Sequence, residues 1–203
     1  MSAPKAHITG TTGFNRIQFF LMPGEAVKAS PGSMVFYKGD VSAEQSVDEW
    51  PLDTYEGVKH GARIEFAPSV PGNVFCVAAD SPLAVSKTAF LCSAETARIS
   101  TSSDASDFLV VESGKVWLAA YGSHDKHALR DGETMVVNPG FLMATDAIRQ
   151  KKATAGSELV LKGPGVVYTQ SRSVADLGAL LKPKRATAPK KSGTQNPDKE
   201  QHI

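Results

Sequence analysis

The sequence predicts an all-β protein, a β-sandwich built from three internal repeats, and three observations predict it. Short apolar runs are cut by Pro, Gly or Ser at intervals of roughly eight to twelve residues, the spacing of a sandwich or barrel. The stretch Met22 to Val35 then returns as Arg130 to Met143, each with Gly-Glu followed after five residues by Pro-Gly and an apolar run. A Gly-strand-turn-strand form occurs at Gly61 to Val77, Gly114 to Gly122 and Gly156 to Tyr168.

Taken in order, residues 1–16 are small and polar and read as a flexible arm. Strands are expected at Ile17 to Leu21, Ala26 to Ala29 and Ser33 to Tyr37. The corners between them use Gly24-Glu25 and Pro31-Gly32, since Pro presets φ and Gly accepts positive φ. Val41 to Lys59, with its acidic stretch from Glu44 to Glu49, lacks apolar period and reads as a connector or short helix. Next, Ala62, Ile64 and Phe66 alternate with Arg63 and Glu65. With a turn at Pro71-Gly72, that predicts a half-buried hairpin running to Val77. A middle copy of the opening pattern lies at Leu83 to Leu91, with Lys87-Thr88 in place of Pro-Gly, so its corner reads as lost. The third copy supplies corners at Gly132-Glu133, Pro139-Gly140 and Pro164-Gly165. The units are about 17–80, 81–128 and 129–173, each too small to bury its own apolar face alone. Residues 174–181 can form two helical turns with Val174, Leu177, Leu180 and Leu181 on one side, stopped by Pro183. Residues 182–203 are Lys, Pro, Thr, Ser and Gln with few apolar residues, the composition of a disordered tail.

Charge excludes one class of function for the body. The chain is net +1, but its last twenty-two residues hold six cations against two carboxylates, which leaves the remainder at −3. That remainder offers no cationic field for nucleic acid. The tail residues Lys182, Lys184, Arg185, Lys190 and Lys191 are the candidate contacts, offering nonspecific attraction to phosphates or an anionic membrane surface. Cys76 and Cys92 lie in apolar runs and read as buried free thiols, which favours a reducing compartment. The N-terminus lacks the apolar core of a signal peptide, and no window is long and apolar enough to span a bilayer. A soluble protein, cytoplasmic or associated with an organelle or particle, is expected.

Candidate chemistry is sparse. His124-Asp125-Lys126-His127 places two imidazoles three residues apart, but in what reads as a turn, and metal sites need three or four convergent ligands. Glu25 and Glu133 fall at matching places in two copies, and a carboxylate just before a strand can accept turn amides as readily as it can act as a base. Lys162-Gly163-Pro164-Gly165 lacks the phosphate-loop spacing and reads as a turn. Trp117, Tyr121, Phe36 and Tyr37 are candidate stacking platforms for single-stranded RNA, which needs a basic groove as well. No catalytic residue, metal ligand or cofactor is assigned, and the protein is read as not an enzyme, with a cupin-like enzyme as the fallback.

The blocks PGEAVKASPGSMVFYKGDV, GARIEFAPSVPGNVF, GKVWLAAYG, LRDGETMVVNPGFLMATD and ELVLKGPGVVYTQS resemble, in the same order, those of the altered-inheritance-of-mitochondria twenty-four family of mitochondrial biogenesis proteins and their bacterial relatives. The resemblance covers about residues 17–173. It implies a fold similar to the tryptophan RNA-binding attenuation protein, a short double-stranded β-helix or sandwich, and a tendency to form trimers. It implies membrane organisation rather than catalysis. The expected protein is thus a non-enzymatic homo-oligomer, a trimer favoured, acting as a scaffold. The alternatives are a subunit of a larger shell or particle tethered by its tail, and a module binding RNA or an anionic surface.

Overall fold

The structure, a computed structural model, describes residues 4–46, 50–101, 107–151 and 158–181. The body is all-β, its strands antiparallel, with one closing helix. A leading strand β1 (Lys5–Thr9) precedes β2 (Arg16–Leu21), β3 (Ala26–Ala29), β4 (Met34–Lys38), β5 (Val41–Gln45), β6 (Asp53–Gly57) and β7 (Ala62–Phe66). The chain continues through β8 (Val74–Ala79), β9 (Leu83–Ser86), β10 (Phe90–Ala94), β11 (Arg98–Thr101) and the long β12 (Phe108–Ala119). Then come β13 (His124–Leu129), β14 (Thr134–Val137), a single 3-10 turn at Pro139–Phe141, β15 (Leu142–Thr145), β16 (Ile148–Lys151), β17 (Leu159–Lys162) and β18 (Gly165–Gln170). The helix α1 (Val174–Leu181) follows, and the tail from Lys182 onward lies outside the described residues.

One pairing scheme runs through three successive stretches. In the first, β7 lies between β2 and β4, and β6 lies between β3 and β5. In the last, β18 lies between β13 and β15, and β17 lies between β14 and β16. In the middle, one strand serves both roles: the C-terminal half of β12 pairs with β8 and β10, its N-terminal half with β9 and β11. The crossing point is at Gly114, whose φ of +106° suits only glycine and where a Cβ would come 2.7 Å from Cα of Ala97. The ladder slips at the same place in each stretch, between Met34 and Phe36, Phe90 and Cys92, Leu142 and Ala144, and the middle stretch slips again between Arg98 and Ile99. A bulge at one fixed place re-aims the strand and pins its register.

Successive stretches are joined edge to edge. β10 pairs with β3, setting Cys92 opposite Ala29, and β15 pairs with β9, setting Ala144 opposite Val85. Under these joints lie the apolar clusters. Phe19 meets the Trp117 ring edge-on at 4.8 Å, and Ile17, Ile64, Phe66, Val27 and Leu91 close around it. A second cluster holds Val85, Leu109, Val116, Leu118 and Met143, and a third Leu142, Leu161 and Val167.

Several sequence expectations are corrected by these pairings. The N-terminal arm is not loose up to residue 16, because Lys5–Thr9 pairs residue for residue with Arg16–Phe20. Val41 to Lys59, read as a connector or short helix, holds β5 and β6, with residues 47–49 between them outside the described residues. β5 is exposed along nearly its whole length, so it carries no apolar alternation to betray it. None of the three hairpins forms: β7 takes its partners from β2 and β4, while β8 takes its own from β12. β17 and β18 likewise join different sheets across Gly163-Pro164, and Gly114 to Gly122 is the end of one strand and the link to the next. Alternation shows which face a residue occupies, but the partner is a nonlocal choice.

Candidate functional site: strand corners and an open strand edge

The corners first picked out as candidate chemistry are built from backbone. At Met22 to Glu25 the amide of Glu25 donates to the Met22 carbonyl at 3.0 Å, with Gly24 at φ +78°. At Arg130 to Glu133 the amide of Glu133 donates to the Arg130 carbonyl at 3.1 Å, with Gly132 at φ +75°. Each carboxylate then turns back on its own corner: Glu25 Oε2 accepts the Met22 amide at 2.9 Å, Glu133 Oε2 the Arg130 amide at 2.8 Å. A second glycine seals each corner from below. Gly57 donates to the Glu25 carbonyl and Gly163 to the Glu133 carbonyl, and a Cβ at either would run into the Cβ of Leu21 (2.8 Å) or of Leu129 (2.9 Å). The sequence reading missed Gly57, since an isolated glycine within a polar run carries no signal of what approaches it.

The second corner occurs in all three stretches, including the one where its dipeptide is missing. Ser33 donates to Ser30, Ala89 to Ser86 and Phe141 to Asn138, each closing a four-residue turn at 2.9 to 3.2 Å. The corner at Lys87-Thr88 is therefore kept, held by a hydroxyl contact of 2.9 Å between Ser86 and Thr88. Pro31-Gly32 and Pro139-Gly140 differ in detail. Gly32 sits at φ +74°, whereas Pro139–Phe141 is a 3-10 turn whose Asn138 side chain accepts from the Gly140 amide. Pro71-Gly72 belongs to a link rather than a hairpin turn. Gly72 bridges Phe14 on one side and Gly122 on the other, and a Cβ there would collide with the Ala120 carbonyl. Pro164 is exposed between β17 and β18, and Gly165 leads into β18 against Ala147.

His124 and His127 lie on strand β13, not in a turn. An odd separation on a strand sends two side chains to opposite faces. His124 stacks on Phe75 with ring centroids 3.8 Å apart, while His127 Nε2 is 3.1 Å from the Thr169 hydroxyl. Burial pushes the His124 pKa down, partly opposed by the Asp125 charge. Among the described residues no group of three or more His, Cys, Asp or Glu gathers as a metal site would require. Both thiols are free, but Cys76 is exposed rather than buried, because β8 has β12 alone as its partner among the described residues. Burial raises the pKa of both thiols, that of Cys92 most.

Of the candidate platforms, Trp117 is buried in the core and Tyr121 is half-buried, while Phe36 and Tyr37 are exposed. An opening of about 650 Å³ is lined by Lys28, Trp50, Leu52, Thr54, Ile99 and Leu109. The Lys87 ammonium lies 5.5 Å from the Trp50 ring beside it. Among the described residues no carboxylate, imidazole or thiol lines that opening. The surface that departs most from an ordinary exterior is β4, where Met34, Val35, Phe36 and Tyr37 are all exposed in succession. Lone exposed apolar residues are unremarkable, but a contiguous row on a strand edge marks a surface for covering.

A body of antiparallel strands with an apolar open edge, and with its two matching carboxylates turned back on its own corners, defines a β-rich protein. The sequence profile of the family described as Mitochondrial biogenesis AIM24 matches residues 6–172, well over half of the chain, and the chain belongs to that family. No curated protein matches the sequence. Among solved structures, a crystal structure of a protein from Streptococcus pyogenes is similar, with a TM-score of 0.73 at 18% identity, over 87% of this chain and 97% of that one. At that identity the likeness concerns the fold alone. No helix among the described residues is long and apolar enough to cross a membrane.

Proposed function

We infer that this member of the mitochondrial biogenesis family is a non-enzymatic, oligomeric scaffold supporting the organisation of a membrane or organelle, its β body made of three units of one design. The observation that carries the reading is the exposed row from Met34 to Tyr37, on a body whose two matching carboxylates are both committed to turn amides. A general base must reach its substrate, and a carboxylate closing its own turn is already engaged. The recurring bulge and the recurring joint between stretches support the three-unit design. A trimer is the stoichiometry favoured by the family resemblance, and organellar association is favoured by the family itself.

Gradient fractionation of native cells tests this. The protein is expected in an organelle-associated fraction, at several times the mass of one chain. Recovery as single chains outside any organelle would contradict the reading. The tail residues Lys182, Lys184, Arg185, Lys190 and Lys191 give the scaffold a second contact, to anionic lipid. Deletion of 182–203 should then lower binding to vesicles containing phosphatidylserine, and unchanged binding would remove the tail from the account.

A further inference from the structure

We propose that copies of this chain join head to tail, the β4 edge of one pairing antiparallel with the β14 edge of the next, with Phe36 opposite Val137 and Tyr37 opposite Val136. The inference rests on the scaffold reading above and names its joint. The joint is already made twice inside each chain. β10 docks on β3 with Cys92 opposite Ala29 and Ser93 opposite Lys28. β15 docks on β9 with Ala144 opposite Val85 and Thr145 opposite Ala84. The places of these residues follow from the corners closed at Ser30–Ser33, Ser86–Ala89 and Asn138–Phe141. Counting from each corner, Ala29, Val85 and Val137 precede it by one residue. Phe36, Cys92 and Ala144 each stand three residues beyond it, one past the bulge. In the scheme, every strand following a corner pairs with a strand preceding a corner in the stretch before. Among the described residues only β4, in the first of the three stretches, and β14, in the last, are left over. Among the described residues β4 pairs with β7 alone and β14 with β17 alone.

Composition separates these two edges from all the others but β8, which reads Val-Phe-Cys-Val-Ala-Ala, pairs with β12 alone and falls outside the corner-to-corner scheme. β13 presents His124, Asp125 and Lys126, β16 presents Arg149, β11 begins at Arg98, β1 carries Lys5, and β5 ends in Glu44-Gln45. Charged side chains are the usual guard against edge pairing. β4 reads Met-Val-Phe-Tyr before its Lys38, and β14 reads Thr-Met-Val-Val with Val136 at 53% exposure. Pairing them would supply partners for the open amides and carbonyls of both edges and cover both apolar rows. The contact is heterologous, using two different surfaces, so it propagates and closes into a ring only if its rotation allows.

The test uses the full chain with one edge blocked at a time. Phe36→Lys blocks β4 and Val136→Lys blocks β14, both at exposed positions, and circular dichroism with thermal melts establishes that each variant folds. Light scattering should give a multimer for the wild type and single chains for each variant at the same concentration. An equimolar mixture of the two variants should give a dimer and nothing larger, because one intact β4 meets one intact β14 and the remaining ends are blocked. In a Cys76→Ser background, Tyr37→Cys mixed with Val136→Cys should oxidise to a cross-linked pair, while Tyr37→Cys with Met135→Cys should not. Blocked variants that keep the wild-type size would overturn the joint while leaving the scaffold reading standing. A mixture that stays monomeric would overturn the head-to-tail geometry. A wild type that is monomeric throughout would overturn both.

Discussion

Strands β4 and β10 hold the same place in the pairing scheme, carry the same bulge and follow the same kind of corner, yet their surroundings are opposite. All five residues of β10 are buried and all five of β4 are exposed. The difference is not in their apolar content up to the last residue, since Met-Val-Phe-Tyr is about as apolar as Phe-Leu-Cys-Ser. It lies in the second neighbour. β10 is flanked by β12 and β3, whereas β4 has β7 on one side and nothing on the other among the described residues. What a strand buries is thus set by its position in the assembly of units, and a strand whose sequence suits burial but whose position denies it points to a missing neighbour.

Leu91 and Val35, the bulge residues of the two strands, offer the largest test of that contrast. Leu91 is 2% exposed and Val35 48% exposed. Leu91→Ala should cost about 2–5 kcal/mol of stability by chemical denaturation. Val35→Ala in dilute protein should cost no more than about 0.5 kcal/mol, as for an ordinary surface site. Similar costs for the two would mean that β4 is already covered in the single chain. Smaller effects are expected where the first and last stretches match. Gly57→Ala and Gly163→Ala should each lose about 1–3 kcal/mol, since a methyl group would be forced against Leu21 or Leu129. Glu25→Ala and Glu133→Ala should each lose about 0.5–1.5 kcal/mol, one turn hydrogen bond apiece. Unequal losses within either pair would break the correspondence between the two corners.

The smallest effect concerns His124, present in the last stretch only. Its pKa is lowered in the folded protein, so the folded state favours the neutral ring and binds fewer protons than the unfolded chain. The stability it contributes is fully present above the unfolded value of about 6.5 and is lost as pH falls through the lowered folded value. Melting temperature should accordingly drop on acidification below about 6.5 and level off once pH is below the lowered folded value, and His124→Phe, which preserves a ring against Phe75, should flatten the drop. An unchanged pH profile in the variant would remove His124 as its source.

How much of this could be read from the chain follows the same local-versus-nonlocal line. The corners at Gly24-Glu25 and Gly132-Glu133 were legible because positive φ and Pro-Gly turn chemistry are written in adjacent residues. The corner at Ser86 to Ala89 was not, since serine and threonine hydroxyls can close a turn without any dipeptide signature. β5 and β6 were missed because exposed or half-buried polar strands show no period. Glu65 reads as a solvent-facing partner to Ile64, and the structure buries it beneath Arg16, whose guanidinium lies 3.0 Å away. The hairpins failed for the reason β4 stands exposed: sequence alternation assigns faces, while partners depend on chain segments far away. The candidate interaction surface therefore emerged only when β4 could be set beside β10 and β15.

Hydrogen exchange followed by mass spectrometry across a dilution series measures the central claim most directly, because it reads the two open edges separately within one sample. As concentration rises, amides of Met34 to Lys38 and of Thr134 to Val137 should gain protection together, over the same range, while those of the doubly paired strand Phe90 to Ala94 stay unchanged. Protection that rises at neither edge, or at one edge without the other, would contradict the account.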